Sequence, residues 1–145
     1  MTPYKPIDVV ITNPDALTSF KRRALKSPKF EILGVLVGRV KGKIYIDDVV
    51  YPEQEAVTGP GDLCKVHYWP DEFKKIRGAI GTIHSHPSAE PGLSKEDMIS
   101  QATDGDVVFA VYSFWKKKDA KRRSTSLDIY CGSPEIIVST GSDLR

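Results

Sequence analysis

Residues 84 to 97 read HSHPSAEPGLSKED and gather metal-binding and acid–base side chains into fourteen consecutive positions. His84 and His86 stand two apart at the end of an apolar run. If that run is a strand, both imidazoles leave on one face and could reach a single metal ion. Asp97 comes early in the next segment, after a loop whose Pro91 and Gly92 can turn the chain back, so its carboxylate could return to the two rings. Two histidines and one aspartate leave a fourth zinc position for water, which is the pattern of a catalytic rather than a structural site. Zinc held this way lowers the pKa of water to about 7 and polarises a carbonyl. The expected content is one Zn2+ per chain. Far upstream, Glu31 lies in the apolar run FEILGVLVGRV, where a carboxylate is costly unless it is paired or functional.

The elements that must position these residues follow from periodicity and turn chemistry. Ile7 to Thr12 reads as a strand. Asn13-Pro14-Asp15 then supplies an N-cap, a first-turn proline and an early acid for a helix to about Lys26, with Leu17, Phe20, Ala24 and Leu25 on its buried face. Phe30 to Val40, with Glu31 inside it, and IYIDDVVY after the turn Lys41-Gly42-Lys43 form a hairpin. Residues 52 to 64 show no period and read as a long loop, a kind of segment that is often functional. Lys65 to Trp69 reads as a short strand and Pro70 to Gly78 as a helix. Ala79 to Ser85 is a strand that delivers the histidines, and Ser94 to about Thr103 is a helix. Asp106 to Trp115 is apolar enough for the middle of a sheet, and Ser126 to Cys131 and Glu135 to Ser139 are two more strands. This order predicts an α/β or α+β domain spanning residues 1–145, a mixed β-sheet flanked by helices.

These residues closely resemble the JAMM metalloproteases of the MPN domain family. The family motif is an upstream strand glutamate in the form E-x-x-G-x-L-x-G, then His-x-His-Pro, six residues, Ser, two residues and Asp. Glu31 to Gly38, His84-Ser85-His86-Pro87, Ser94 and Asp97 match it at every position. The resemblance spans about Ile7 to Ser139 and implies a fold of cytidine-deaminase-like architecture. It implies His84, His86 and Asp97 as zinc ligands, Glu31 as general base and later proton donor to the leaving amine, and Ser94 as a hydrogen-bond donor to the tetrahedral oxyanion. It also implies the reaction, cleavage of the isopeptide bond between ubiquitin or a ubiquitin-like modifier and a protein lysine. Partners would then be the modifier and its conjugates, and a proteasome-like complex of the kind that houses lid members of the family. The chain is close to a bare catalytic domain, more like archaeal or bacterial members, some of which process other C-terminal amides such as those of sulfur-carrier proteins.

Each of these residues has a plainer reading. Ser94-Lys95-Glu96-Asp97 also fits a helix cap in which Ser94 and Asp97 only satisfy helix-end amides, but a cap requires no His-x-His-Pro at a fixed distance before it. His67 has no partner at ligand spacing and reads as a surface histidine. Lys116 to Arg123 is a basic run that could attract nucleic acid or an acidic protein, yet without interleaved aromatics or a basic helix it reads as a solvated hairpin turn. Trp69 and Trp115 read as packing residues. A net charge of +2 is too small to imply a polyanion partner and by itself decides nothing; with the basic run read as a turn, no nucleic acid is expected. No apolar stretch approaches the ~20 residues of a membrane span, and no secretory signal opens the chain, which predicts a cytoplasmic protein. Cys64 and Cys131 are single and far apart, which excludes a cysteine-rich zinc module. Two other function classes fit these residues less well. A non-catalytic MPN scaffold would lack the ligands that are intact here, and a zinc nucleoside deaminase would carry H-x-E and P-C-x-x-C, which are absent, as is the HExxH of common zinc proteases.

Overall fold

The computed structural model describes residues 8–58, 64–68, 75–87, 108–131 and 137–139, with backbone alone for 55–58, 64–68, 131 and 137–139. The chain builds a mixed α+β fold. Its described elements are β1 (Val9–Ile11), α1 (Pro14–Leu25), β2 (Leu33–Lys41), β3 (Lys43–Val50), β4 (Gln54–Thr58), β5 (Cys64–Tyr68), β6 (Ala79–Pro87), β7 (Val108–Trp115), β8 (Ser124–Cys131) and β9 (Ile137–Ser139). Seven strands form one sheet in the order β1-β3-β2-β6-β7-β8-β9, and β4 pairs with β5 in a separate antiparallel ribbon. Within the large sheet β1/β3 and β6/β7 are parallel and the remaining pairs antiparallel.

The helix starts where proline fixes φ without losing a hydrogen bond, at Pro14 in the first turn. Asn13 makes no side-chain cap, however; its carbonyl instead accepts from Ala16 N at 3.2 Å. Leu17, Phe20 and Ala24 are buried against the sheet, and Leu25, expected beside them, is only partly buried at the rim of the same cluster. The opposing face is supplied by Leu36, Ile44, Ile46, Val49, Ile83, Ala110, Tyr112, Leu127 and Ile129. Because side chains alternate along a strand, this leaves Leu33, Val35, Thr82, His84, His86, Phe109, Val111 and Ser113 on the other face. The sheet therefore separates an apolar core on the α1 side from a face that carries the histidines.

Two glycines of the β2 region have clear physical reasons. Gly42 turns the β2–β3 hairpin at φ +70°, a conformation open to glycine at little cost. A Cβ on Gly34 would stand 2.5 Å from Val49 Cγ1 and 3.2 Å from Ile83 Cγ2, so any side chain there must push these neighbours aside. β7 is buried from Val108 to Phe114 and lies between β6 and β8, as its unbroken apolar run predicts.

Residues 52 to 64 are not simply a loop, because Gln54–Thr58 forms β4 and pairs with Cys64–Tyr68; a ribbon of this kind needs no apolar alternation if it is not packed in the core. β6 runs two residues past Ser85, to Pro87, and so takes His86 into the sheet. β8 begins at Ser124 rather than Ser126. The proposed helix at Pro70 lies largely outside the described residues, and the one at Ser94 wholly so. Among the described residues no helix is long and apolar enough to cross a membrane.

Candidate metal centre

β6 carries His84 and His86 at alternate positions, with Ser85 between them pointing to the other face. Both imidazoles are buried, at 5% and 9% exposure, and their Nε2 atoms approach to 2.8 Å. The rings are tilted by 60° with centroids 4.6 Å apart, and Phe109 of the neighbouring strand packs on His84 at 4.9 Å. A buried hydrophobic ring fixes the imidazole orientation and excludes water from its flank, which strengthens any electrostatic interaction there.

Glu31 does not lie inside β2, as the sequence reading placed it, but two residues before the strand begins. The reason is a substitution in the ladder. Ile32 N donates to Ser85 Oγ at 2.9 Å where a strand would offer a carbonyl, while Ser85 N donates to Ile32 O at 3.0 Å. Ser85 thus turns to the core side and holds Ile32, and the alternation sends Glu31 to the histidine face. Its Oε1 lies 3.6 Å from His86 Nε2. A second anchor follows one residue later. Gln54, at the start of β4, accepts from Leu33 N at 2.8 Å and donates to Leu33 O at 2.7 Å and to Pro52 O at 3.1 Å. One side chain thereby satisfies both polar groups of Leu33 and fixes the base of the β4–β5 ribbon beside Glu31.

Glu31, His84 and His86 together form a group that could hold a metal ion, each offering one ligand atom within 4.8 Å of the others. The donor set suits zinc, since imidazole and carboxylate are both among its ligands. At Zn–N distances of about 2.0–2.1 Å, tetrahedral geometry separates two nitrogens by about 3.3 Å. The 2.8 Å between the two Nε2 atoms is hydrogen-bond spacing, with the donor set by the tautomers, and is shorter than the separation of two zinc-bound nitrogens.

Of the five residues singled out from sequence, the structure brings Glu31, His84 and His86 together, and Ser94 and Asp97 lie outside the described residues. The side chain of His67 lies outside them as well. Sequence reasoning missed Ser85, Gln54 and Phe109 as positioning residues, although Ser85 was visible inside His-x-His and its strand position already forced it to the opposite face. It also missed Ser113, which strand register places beside His86 on the same face, fully buried and with its hydroxyl unpartnered among the described residues. In comparisons with known proteins, no family model matches the chain, and no curated protein matches it.

Proposed function

We propose that this protein is a zinc-dependent isopeptidase or peptidase of the JAMM type, acting on the bond between the C-terminus of a ubiquitin-like modifier and an amine. The observation that carries the reading is the convergence of Glu31 on His84 and His86, three residues 53 and 55 positions apart in sequence whose meeting a helix cap or a surface histidine would not produce. The motif resemblance adds the reaction class, with Asp97 as third ligand and Ser94 as oxyanion donor, and the mixed sheet with α1 on one face is compatible with the deaminase-like architecture that it implies.

A zinc ion bound to His84, His86 and Asp97 would supply Lewis acidity, polarising the scissile carbonyl and making water more acidic. The chain's own residues do the rest. Glu31, within reach of the same space, takes the proton from the attacking water and returns it to the departing amine, a transfer that requires a carboxylate rather than an amide. Ser94 donates a hydrogen bond where negative charge develops, a contribution of roughly 3 kcal/mol by the standard of other oxyanion sites. The buried histidine pair and Phe109 keep the polar partners oriented before substrate arrives.

The test is hydrolysis of modifier–lysine conjugates and of C-terminally extended modifiers, with the products weighed by mass spectrometry. Cleavage at the modifier's terminal residue that is lost on chelation and restored by zinc supports the reading. Zinc-loaded protein that binds modifier but leaves all conjugates intact would overturn the catalytic assignment.

A further inference from the structure

A second site lies on the opposite face of the sheet. Between α1 and the β7–β8 hairpin runs a groove of about 650 Å³, within the range of small-molecule sites. Thr18, Lys21 and Arg22 face it from α1, at spacings of three and four that place them on one side of the helix, and Tyr112, Arg123 and Thr125 face it from the hairpin. Three cationic side chains therefore line one concavity, and no Asp or Glu among the described residues lines it. Neither Lys21, Arg22 nor Arg123 makes an ion pair among the described residues; Lys21 Nζ stands 5.8 Å from the Tyr112 ring and Arg123 lies over Phe114. Burial pulls the Lys21 ammonium below its ordinary range and pushes the Tyr112 hydroxyl up, the latter opposed by the Thr125 hydrogen bond and by Arg123.

We propose that this groove binds a phosphate-bearing small molecule of nucleotide size, held by Lys21, Arg22 and Arg123 with Thr18 and Thr125 as hydroxyl donors. A compact, multiply charged anion is the ligand for which guanidinium and ammonium groups lining one groove are suited, since phosphate oxygens accept several charge-assisted hydrogen bonds at once. The other cations of the basic turn, Lys116 to Lys121, do not line the groove, so the concavity rather than the turn selects the ligand. Tyr112 faces the groove from the α1 side of β7, whereas its neighbours Val111 and Ser113 face the histidines, so the two sites are separated by the thickness of the sheet.

The test is calorimetric titration of the zinc-loaded protein at low salt with pyrophosphate and with ADP, using adenosine and a polyglutamate peptide as comparison ligands. Saturable binding of pyrophosphate and ADP, none of adenosine, and a loss of about tenfold or more in affinity in each of Lys21→Gln and Arg123→Gln is the expected result. Both variants change exposed or half-exposed side chains, and unaltered circular dichroism checks their fold. Because anions also bind catalytic metals, the double variant His84→Ala/His86→Ala is titrated in parallel and should bind pyrophosphate as the parent does. Absence of saturable binding, loss of binding in the histidine variant with none in Lys21→Gln and Arg123→Gln, or tighter binding of polyglutamate than of pyrophosphate would overturn the proposal.

Discussion

Glu31 and Ser85 divide one task between them at the level of single residues. Glu31 carries the proton chemistry of the proposed reaction, and Ser85 fixes where Glu31 begins. Changing Glu31 to Gln preserves size and the capacity to accept a hydrogen bond from water but removes the base. Zinc content measured by atomic absorption should stay near one per chain while turnover falls by at least 100-fold; near-normal turnover would mean that another carboxylate is the base. Changing Ser85 to Ala acts differently. It leaves the Ile32 N–H without its acceptor in a partly buried position, which should cost about 1–3 kcal/mol in denaturant unfolding. It should also lower kcat through a displaced Glu31, with zinc affinity changed less than turnover. An unfolding midpoint equal to that of the parent would show that the Ser85–Ile32 contact is not made in solution.

At the scale of elements, β2 and the β4–β5 ribbon are tied together by one side chain, Gln54, and what that joint predicts is a split between binding and catalysis. Gln54→Ala removes the clasp on Leu33 and should weaken conjugate cleavage while zinc stays bound, because the histidines sit on β6 whereas Gln54 bonds to Leu33 and Pro52. Parallel loss of zinc and activity would show instead that Gln54 supports the whole sheet edge. Gly34→Ala tests packing between β2, β3 and β6. A methyl group there meets Val49 and Ile83, and overpacking of this kind costs about 1–3 kcal/mol. Most of these elements were legible in the sequence. Pro14, the apolar period of α1 and the branched run of β7 each fixed an element within a residue or two. The start of β2 was not legible, since a serine hydroxyl standing in for a carbonyl at Ile32 leaves no trace in periodicity. Nor was β4, whose residues QEAVT carry no alternation strong enough to separate a ribbon strand from a loop. The candidate site was legible by contrast because Glu31, His84 and His86 are chemically rare at such positions, whereas the residues that orient them, Gln54 and Phe109, are ordinary side chains that only register brings near.

For the whole molecule, a zinc ion held by the histidines of β6, as proposed, would contribute to stability as well as to chemistry. In the proposed reading the two histidines come from β6 and the third ligand, Asp97, from further along the chain, so a bound ion would tie two parts of the chain together. An ion that binds the folded chain and not the unfolded one stabilises it by mass action, about 2.7 kcal/mol when free metal is 100 times its dissociation constant. In a chain of this size about 1 kcal/mol moves the melting temperature by roughly 2–4 °C. Removing the metal with a chelator should therefore lower the melting temperature by roughly 5–10 °C by this arithmetic, and re-adding zinc should restore it. The double variant His84→Ala/His86→Ala should melt at one temperature with or without chelator, while Lys21→Gln, on the far face of the sheet, should keep the full zinc-dependent shift. Differential scanning calorimetry of the three proteins, each with and without chelator, reads all of these outcomes together. A zinc-dependent shift that survives loss of both histidines would place the ion elsewhere in the chain and remove the ground on which Glu31 is read as its neighbour.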